Sequence, residues 1–181
     1  MRILEVRRHA HRKHGGGSQL SQEGVAAARK LGANLGPFAV VATSVSPRSR
    51  ETAIAMGFAV DQMIEPLFSD DESAAEIESA GLDFTKPLMP HLGRLMARKG
   101  STWHYGRAIF DLWRDLIMSL PDGASALVIS HSGVIELGLI ATFPEADHTS
   151  WGKSFAPLEG ARLTFEGEPA RFTKIELLRN S

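Results

Sequence analysis

Three short apolar runs constrain the fold more than anything else in the chain: Ile3, Leu4 and Val6; AVVAT at 39–43; and Ala126–Ile129. Each has strand length, each ends in polar or cationic residues, and each is followed by a helical pattern. Strands alternating with helices predict an α/β fold: a three-layer sandwich with a mostly parallel central sheet and helices on both faces. The first strand is expected over Arg2–Arg8. A helix should run from about Gln22 to Asn34, with Ser21 as its N-cap and Glu23 in its first turn. Pro47 opens a second helix that reaches about Met56 and stops at Gly57.

Beyond a short strand near Val60–Pro66, the pattern weakens. Residues 69–81, SDDESAAEIESAG, read as a loop entering a short solvated helix, and residues 87–101 read as a helix ended by Gly100. Ile109, Leu112, Trp113, Leu116 and Leu120 recur at helical spacing within 103–120, before PDG breaks the chain. SALVISHSG then reads as a buried strand delivering Ser130, His131 and Ser132 at its end. A helix over 134–142 and two C-terminal strands joined by a Gly/Pro turn complete the chain. Residues 1–181 are expected to form a single domain with a variable insertion at about 66–104.

With 20 Lys plus Arg against 21 Asp plus Glu, the formal net charge is -1, which argues against nucleic acid or an anionic membrane as partner. Any anion binding must be local. The absence of cysteine excludes disulfides, a thiol nucleophile and thiolate metal sites. Met1 leads directly into strand-like residues without a charged segment and an apolar one, and no apolar run approaches the roughly 20 residues that span a bilayer. A soluble cytoplasmic protein is the expectation.

In open α/β sheets ligands collect beyond the carboxyl ends of the strands. Three stretches converge there: Arg8 and His9 after the first strand, Ser44 to Arg48 after the second, and Ser130, His131 and Ser132 after ALVI. Arginines hold a tetrahedral oxyanion through several charge-assisted bonds. Two histidines beside that anion would provide a nucleophile and a charge-stabilising donor. Taken singly, each group has a bland reading: a strand-end histidine is commonly structural, Arg48 could be a solvated first-turn residue, and alternation sends Arg7 away from Arg8 as a surface or packing arginine. Their convergence points to a pocket for a tetrahedral oxyanion.

These residues resemble the histidine phosphatase superfamily, in the branch that holds cofactor-dependent phosphoglycerate mutases and small phosphatases. Arg8-His9-Ala10 is similar to the family's Arg-His-Gly, and Leu20, Ser21 and Gly24 look like its first-helix signature. Ser44, Arg48, Ser49, Thr52 and Ala53 look like its Ser-x-x-x-Arg-Ala-x-x-Thr-Ala pattern; Arg50 would stand too close to Thr52 to be that arginine. SHSG at 130–133 is similar to its second-histidine motif. The resemblance implies a phosphoglycerate mutase-like fold and a phosphatase without cofactor or metal. It implies that His9 becomes a phosphohistidine while Arg8, Arg48 and His131 stabilise the phosphoryl charge. Arg12 and Ser132 are candidates for substrate binding, and the partner would be a phosphorylated small molecule or a phosphohistidine protein.

The chain departs from the family in two places. Ala10 replaces a glycine, and the segment KGSTWHYGR lacks the glutamate that protonates the leaving oxygen in many members. Asp70, Asp71 and Glu72 are the candidate donors, with His104 as another; a solvated loop is the bland reading of the acidic trio. Without a positioned acid, esters with good leaving groups or phosphoramidates become better substrates, since acid help is worth about 10²- to 10⁴-fold. The gap also counts against the alternative of a phosphoglycerate mutase and leaves open a catalytically weak phosphate-binding module. His9, His11 and His14 make a poor metal cluster among Arg8, Arg12 and Lys13. GGGS at 15–18 reads as a mobile loop at the pocket rim, and Trp103, Tyr105, Phe110 and Trp113 read as core packing.

Overall fold

The computed structural model describes residues 1–15, 17–82 and 88–180. Gly16, inside the GGGS run, and residues 83–87, inside the expected insertion and the start of the 87–101 helix, lie outside the described residues. Six strands, β1 (Arg2–Arg8), β2 (Val40–Ser44), β3 (Gln62–Ile64), β4 (Ser125–Ser130), β5 (Gly160–Glu166) and β6 (Arg171–Leu178), form one sheet in the order β3-β2-β4-β1-β5-β6. The helices are α1 (Gln22–Gly32), α2 (Pro47–Ala55), α3 (Asp71–Ser79), α4 (Met89–Met96), α5 (Ser101–Met118) and α6 (Val134–Thr142). β1, β2, β3 and β4 run parallel, and β5 pairs antiparallel with both β1 and the edge strand β6.

Alternation along β4 separates the two cores. Ala126 and Val128 pack with Leu4, Val6 and the apolar faces of α5 and α6, whereas Leu127 and Ile129 pack with Val41, Ala28 of α1 and Ala53 of α2. A strand covered on both faces has no reason to alternate polar and apolar residues, which is why ALVI is continuously apolar. On the α1/α2 side, β1 instead carries Glu5 and Arg7, both buried and paired with each other, with Arg162 reaching the second oxygen of Glu5. Arg7 also donates to the Leu158 carbonyl, so it is a packing arginine.

Local chemistry sets the helix ends. Ser21 Oγ accepts from the Gly24 N–H as N-cap of α1, and Pro47 occupies the first turn of α2, where a missing N–H costs nothing. Three expectations need correction. Gly100 does not end a helix: α4 stops at Met96, Lys99 takes a left-handed turn with φ 56°, and Gly100 is the N-cap of α5. The reason is Glu76 of α3, whose carboxylate accepts from the Thr102 N–H at the start of α5 and fills the space that a Cβ on residue 100 would need. The acidic helix α3 is likewise not simply solvated, since Ser73 and Ile77 are buried and it packs along α5. The third strand is shorter than expected, covering Gln62–Ile64. Among the described residues, no helix is long and apolar enough to cross a membrane.

Candidate active site

The parallel registers bring the polar strand ends together. Arg8 lies opposite Ser130 and Thr43 opposite Ile129, so His9, Ser44 and His131 emerge side by side at the carboxyl edge. The His9 N–H extends the ladder by donating to the Ser130 carbonyl at 3.0 Å. The next residue, Ala10, is fully buried and donates its N–H to Thr52 Oγ1, while Thr52 donates to the Arg48 carbonyl. Thr52 therefore ties the histidine loop to the helix that carries Arg48. The methyl of Ala10 finds room where the family has glycine.

Hydrogen bonds determine the protonation of both rings. His9 Nδ1 is 2.7 Å from the Ala10 carbonyl, an acceptor only, so this nitrogen carries the proton. Arg48 Nε donates to His9 Nε2 at 3.0 Å, which requires a lone pair there. Arg48 Nη2 also lies 3.2 Å from His131 Nδ1, which must accept, leaving His131 Nε2–H to donate to Ser44 Oγ at 2.7 Å. Ser44 Oγ–H in turn donates to Ser49 Oγ at 2.8 Å. The two rings are thus opposite tautomers, 5.1 Å apart between centroids.

Burial pushes the His9 pKa down to about 4; the Arg48, Arg8 and Arg12 charges add to this and the Ala10 carbonyl opposes it. Burial also pushes His131 down to about 3, followed by the effects of His9, Arg48 and Arg8. Both imidazoles are neutral at pH 7. The pKa values of Arg8 and Arg48 are lowered, chiefly by burial, but an arginine remains charged. Arg8 Nη1 donates to the Phe155 carbonyl, while its buried Nε has no partner.

A cavity of about 550 Å³ opens over these groups, and Arg8, His9, Arg12, Arg48, His131 and Ser132 all line it. His11, Lys13, His14 and Gly15 complete its rim on the loop side. No carboxylate is among its described lining residues. The candidate donors are elsewhere: Asp70 caps α3 by accepting from the Ser73 N–H, Asp71 and Glu72 are exposed in the first turn of that helix, and His104 is exposed on α5. Of these, Asp70 lines an adjoining cavity. Arg50 is exposed, and Arg48 alone of the two faces the histidines. Ser132 lines the cavity, but its hydroxyl is engaged with Ser154 and with Glu136, a fully buried carboxylate that also accepts from the Gly133 and Phe155 N–H groups. Among the described residues, no three histidine or acidic side chains gather in a metal-holding geometry.

Sequence reasoning missed the work of three residues. Ser44 orients His131, Ser18 accepts from Arg48 Nη1 at 3.2 Å, and Phe68 packs edge-on against His131 with ring centroids 5.2 Å apart. Ser44 was within reach, because parallel pairing of two strands of known ends sets it level with Ser130. Phe68 and Ser18 lie in loops whose paths no local pattern dictates.

No family model matches the sequence, and no curated protein matches it. Solved structures do match in fold. A mycobacterial glucosyl-3-phosphoglycerate phosphatase is similar with a TM-score of 0.68 at 18% identity, over 99% of each chain. YhfR of Bacillus stearothermophilus gives 0.66 at 18% identity over 96% of this chain and 95% of its own. A phosphoserine phosphatase variant from Entamoeba histolytica gives 0.62 at 14% identity over 97% and 96%. These are histidine phosphatase superfamily structures, and the chain shares their phosphoglycerate mutase-like α/β fold.

Proposed function

We propose that the protein is a phosphatase that transfers a phosphoryl group to His9 Nε2 and then to water. One observation carries this reading: a neutral imidazole, its Nε2 lone pair held by Arg48 Nε until a phosphoryl group draws that guanidinium away, lines a cavity with Arg8, Arg48 and His131. Nε2 attacks phosphorus as the bond to the leaving oxygen breaks, and the leaving group takes its proton from water. Water then cleaves the N–P bond, releasing phosphate and restoring His9. The charge on the equatorial oxygens meets the two guanidinium groups, whose planar forks suit a phosphoryl group, so positioning and electrostatics supply the catalysis. His131 Nδ1, the acceptor of an Arg48 bond in the free protein, becomes a donor to a phosphoryl oxygen by taking up a proton when the dianion binds. The substrate is a phosphomonoester with a good leaving group or a phosphohistidine.

The lack of a carboxylate among the described lining residues favours a second reading, a phosphate-binding module with little turnover. The two separate in one experiment. Wild type and His9→Ala are incubated in chelator with 4-nitrophenyl phosphate, released phosphate is counted, and the quenched proteins are weighed intact. Turnover with a phosphoryl adduct that vanishes in His9→Ala supports the phosphatase. Phosphate binding with neither adduct nor turnover in wild type replaces it with the binding module.

A further inference from the structure

A second cavity, of about 350 Å³, adjoins the phosphate pocket and shares Ser132 with it. Phe68, Ala74, Ile77, Leu82, Tyr105 and Leu137 give it an apolar interior. Tyr105, which the sequence reads as core, is buried as expected, but it also forms part of this wall. Its hydroxyl donates to the Pro66 carbonyl at 2.5 Å, so it offers the cavity a ring face and no free donor. Phe68 joins the two spaces: it lines the side cavity, its centroid is 5.8 Å from the Arg48 guanidinium carbon, and its edge contact with His131 sets it beside the reacting centre. A phenylalanine that is 41% exposed there leaves apolar surface in water until something covers it.

Charge divides the two spaces as well. The phosphate pocket is lined by Arg8, Arg12, Lys13 and Arg48, and the side cavity by Asp70 and Glu78 with no cation among its described residues. An anionic substituent in the side cavity would face two carboxylates in partly desolvated surroundings, where like charges repel more strongly than in water. A cavity of about 150 Å³ already holds benzene, so this one has room for a substituted ring or a branched alkyl chain.

We infer that the side cavity binds the remainder of a phosphate-bearing ligand, and that this remainder is uncharged and predominantly apolar, an aryl or alkyl group. On the phosphatase reading, on which the catalytic half of this inference rests, it is the leaving group, and the substrates are phosphate esters of phenols and other apolar hydroxyl compounds acidic enough to leave without a positioned acid. Phe68 is then a specificity-determining residue that covers one face of the bound group.

Non-hydrolysable phosphonates test the cavity apart from catalysis. Calorimetry on the full chain compares methylphosphonate, benzylphosphonate and 4-carboxybenzylphosphonate. The benzyl compound is expected to bind at least about tenfold more tightly than the methyl one, because each buried CH₂-sized group is worth about fourfold, and the carboxylate should abolish that gain. Ala74→Trp, from an exposed site on α3, is expected to cancel the benzyl preference while methylphosphonate still binds as in wild type, which also shows that the variant is folded. Equal affinity for all three compounds overturns the inference, as does a benzyl preference that Ala74→Trp leaves intact. If benzylphosphonate is preferred and lost in the variant but no aryl phosphate is hydrolysed, the cavity stands as a ligand subsite and the phosphatase reading falls.

Discussion

Arg48 has donors and no acceptor, and that asymmetry organises the site at the scale of single residues. One guanidinium meets a lone pair on each histidine and thereby sets both tautomers. A lysine would keep the charge but present a point donor, unable to serve both rings and a phosphoryl group together. Arg48→Lys is expected to lower kcat/KM by about 10²-fold or more, the loss typical of removing a preorganised donor from a developing anion; steady-state kinetics on an aryl phosphate check this. Ser44→Ala should cost less, roughly tenfold in kcat with little change in KM, because it leaves the His131 Nε2–H only the longer contact to Ser49 Oγ at 3.3 Å and removes no substrate contact. The nucleophile must be neutral, and its pKa is held at about 4, so protonation should silence the enzyme only near pH 4 instead of near 6.5. A kcat/KM profile whose acid limb, corrected for substrate ionisation, falls at 6.5 would contradict this placement of His9.

Between the residues and the sheet stand the elements that hold them, and the closest fit is that of α1 against the histidine loop. A Cβ on Gly24 would collide with the His11 carbonyl oxygen, the same oxygen that accepts from the Ser21 N–H at the start of the helix. Gly24→Ala is therefore expected to lower the melting temperature and, by displacing the loop that carries Arg12, to raise KM more than it lowers kcat. The resemblance in sequence includes this glycine, and the structure supplies its reason. The strand ends could be read from sequence because apolar runs of strand length stop abruptly at charged residues. Segment 66–104 resisted that reading. Its helices are short, their ends are set by contacts distant in sequence such as that of Glu76 with Thr102, and an acidic composition conceals the two positions of α3 that face α5. The side cavity was illegible for the same reason, since its walls come from α3, α5, α6 and the turn before α3.

Taken as a whole, the molecule gathers cations and buried imidazoles at one edge of its sheet, and this arrangement should show in its stability as well as its activity. The pKa of His9 falls from 6.5 to about 4 on folding and that of His131 to about 3. An unfolded chain binds protons at these positions below pH 6.5 while the folded chain refuses them, so stability must decline as the pH falls from about 6.5 towards 4. The loss levels off only where the folded histidines themselves titrate. Glu159 works in the same direction, its carboxyl held below the usual range against the effect of burial by the Ala156 N–H and by Arg179, but its window opens only below pH 4.5. The interval between pH 6.5 and 5 thus isolates imidazole from this carboxylate. Urea midpoints should fall across that interval in wild type, and His9→Gln combined with His131→Gln should flatten the dependence even if it lowers stability overall. Saturating phosphate should flatten the same dependence in wild type, because a His131 imidazole that takes up a proton with the ligand no longer differs in protonation from its unfolded counterpart. Phosphate at about 100 times its wild-type dissociation constant adds about 2.7 kcal/mol to the folded state, and at that same concentration the increment should shrink in the His131→Gln variant because the donor to the phosphoryl oxygen is gone. A pH dependence unchanged by the double substitution would mean that the histidines are not held neutral by the fold, and the account of His9 as a poised nucleophile would lose its physical basis.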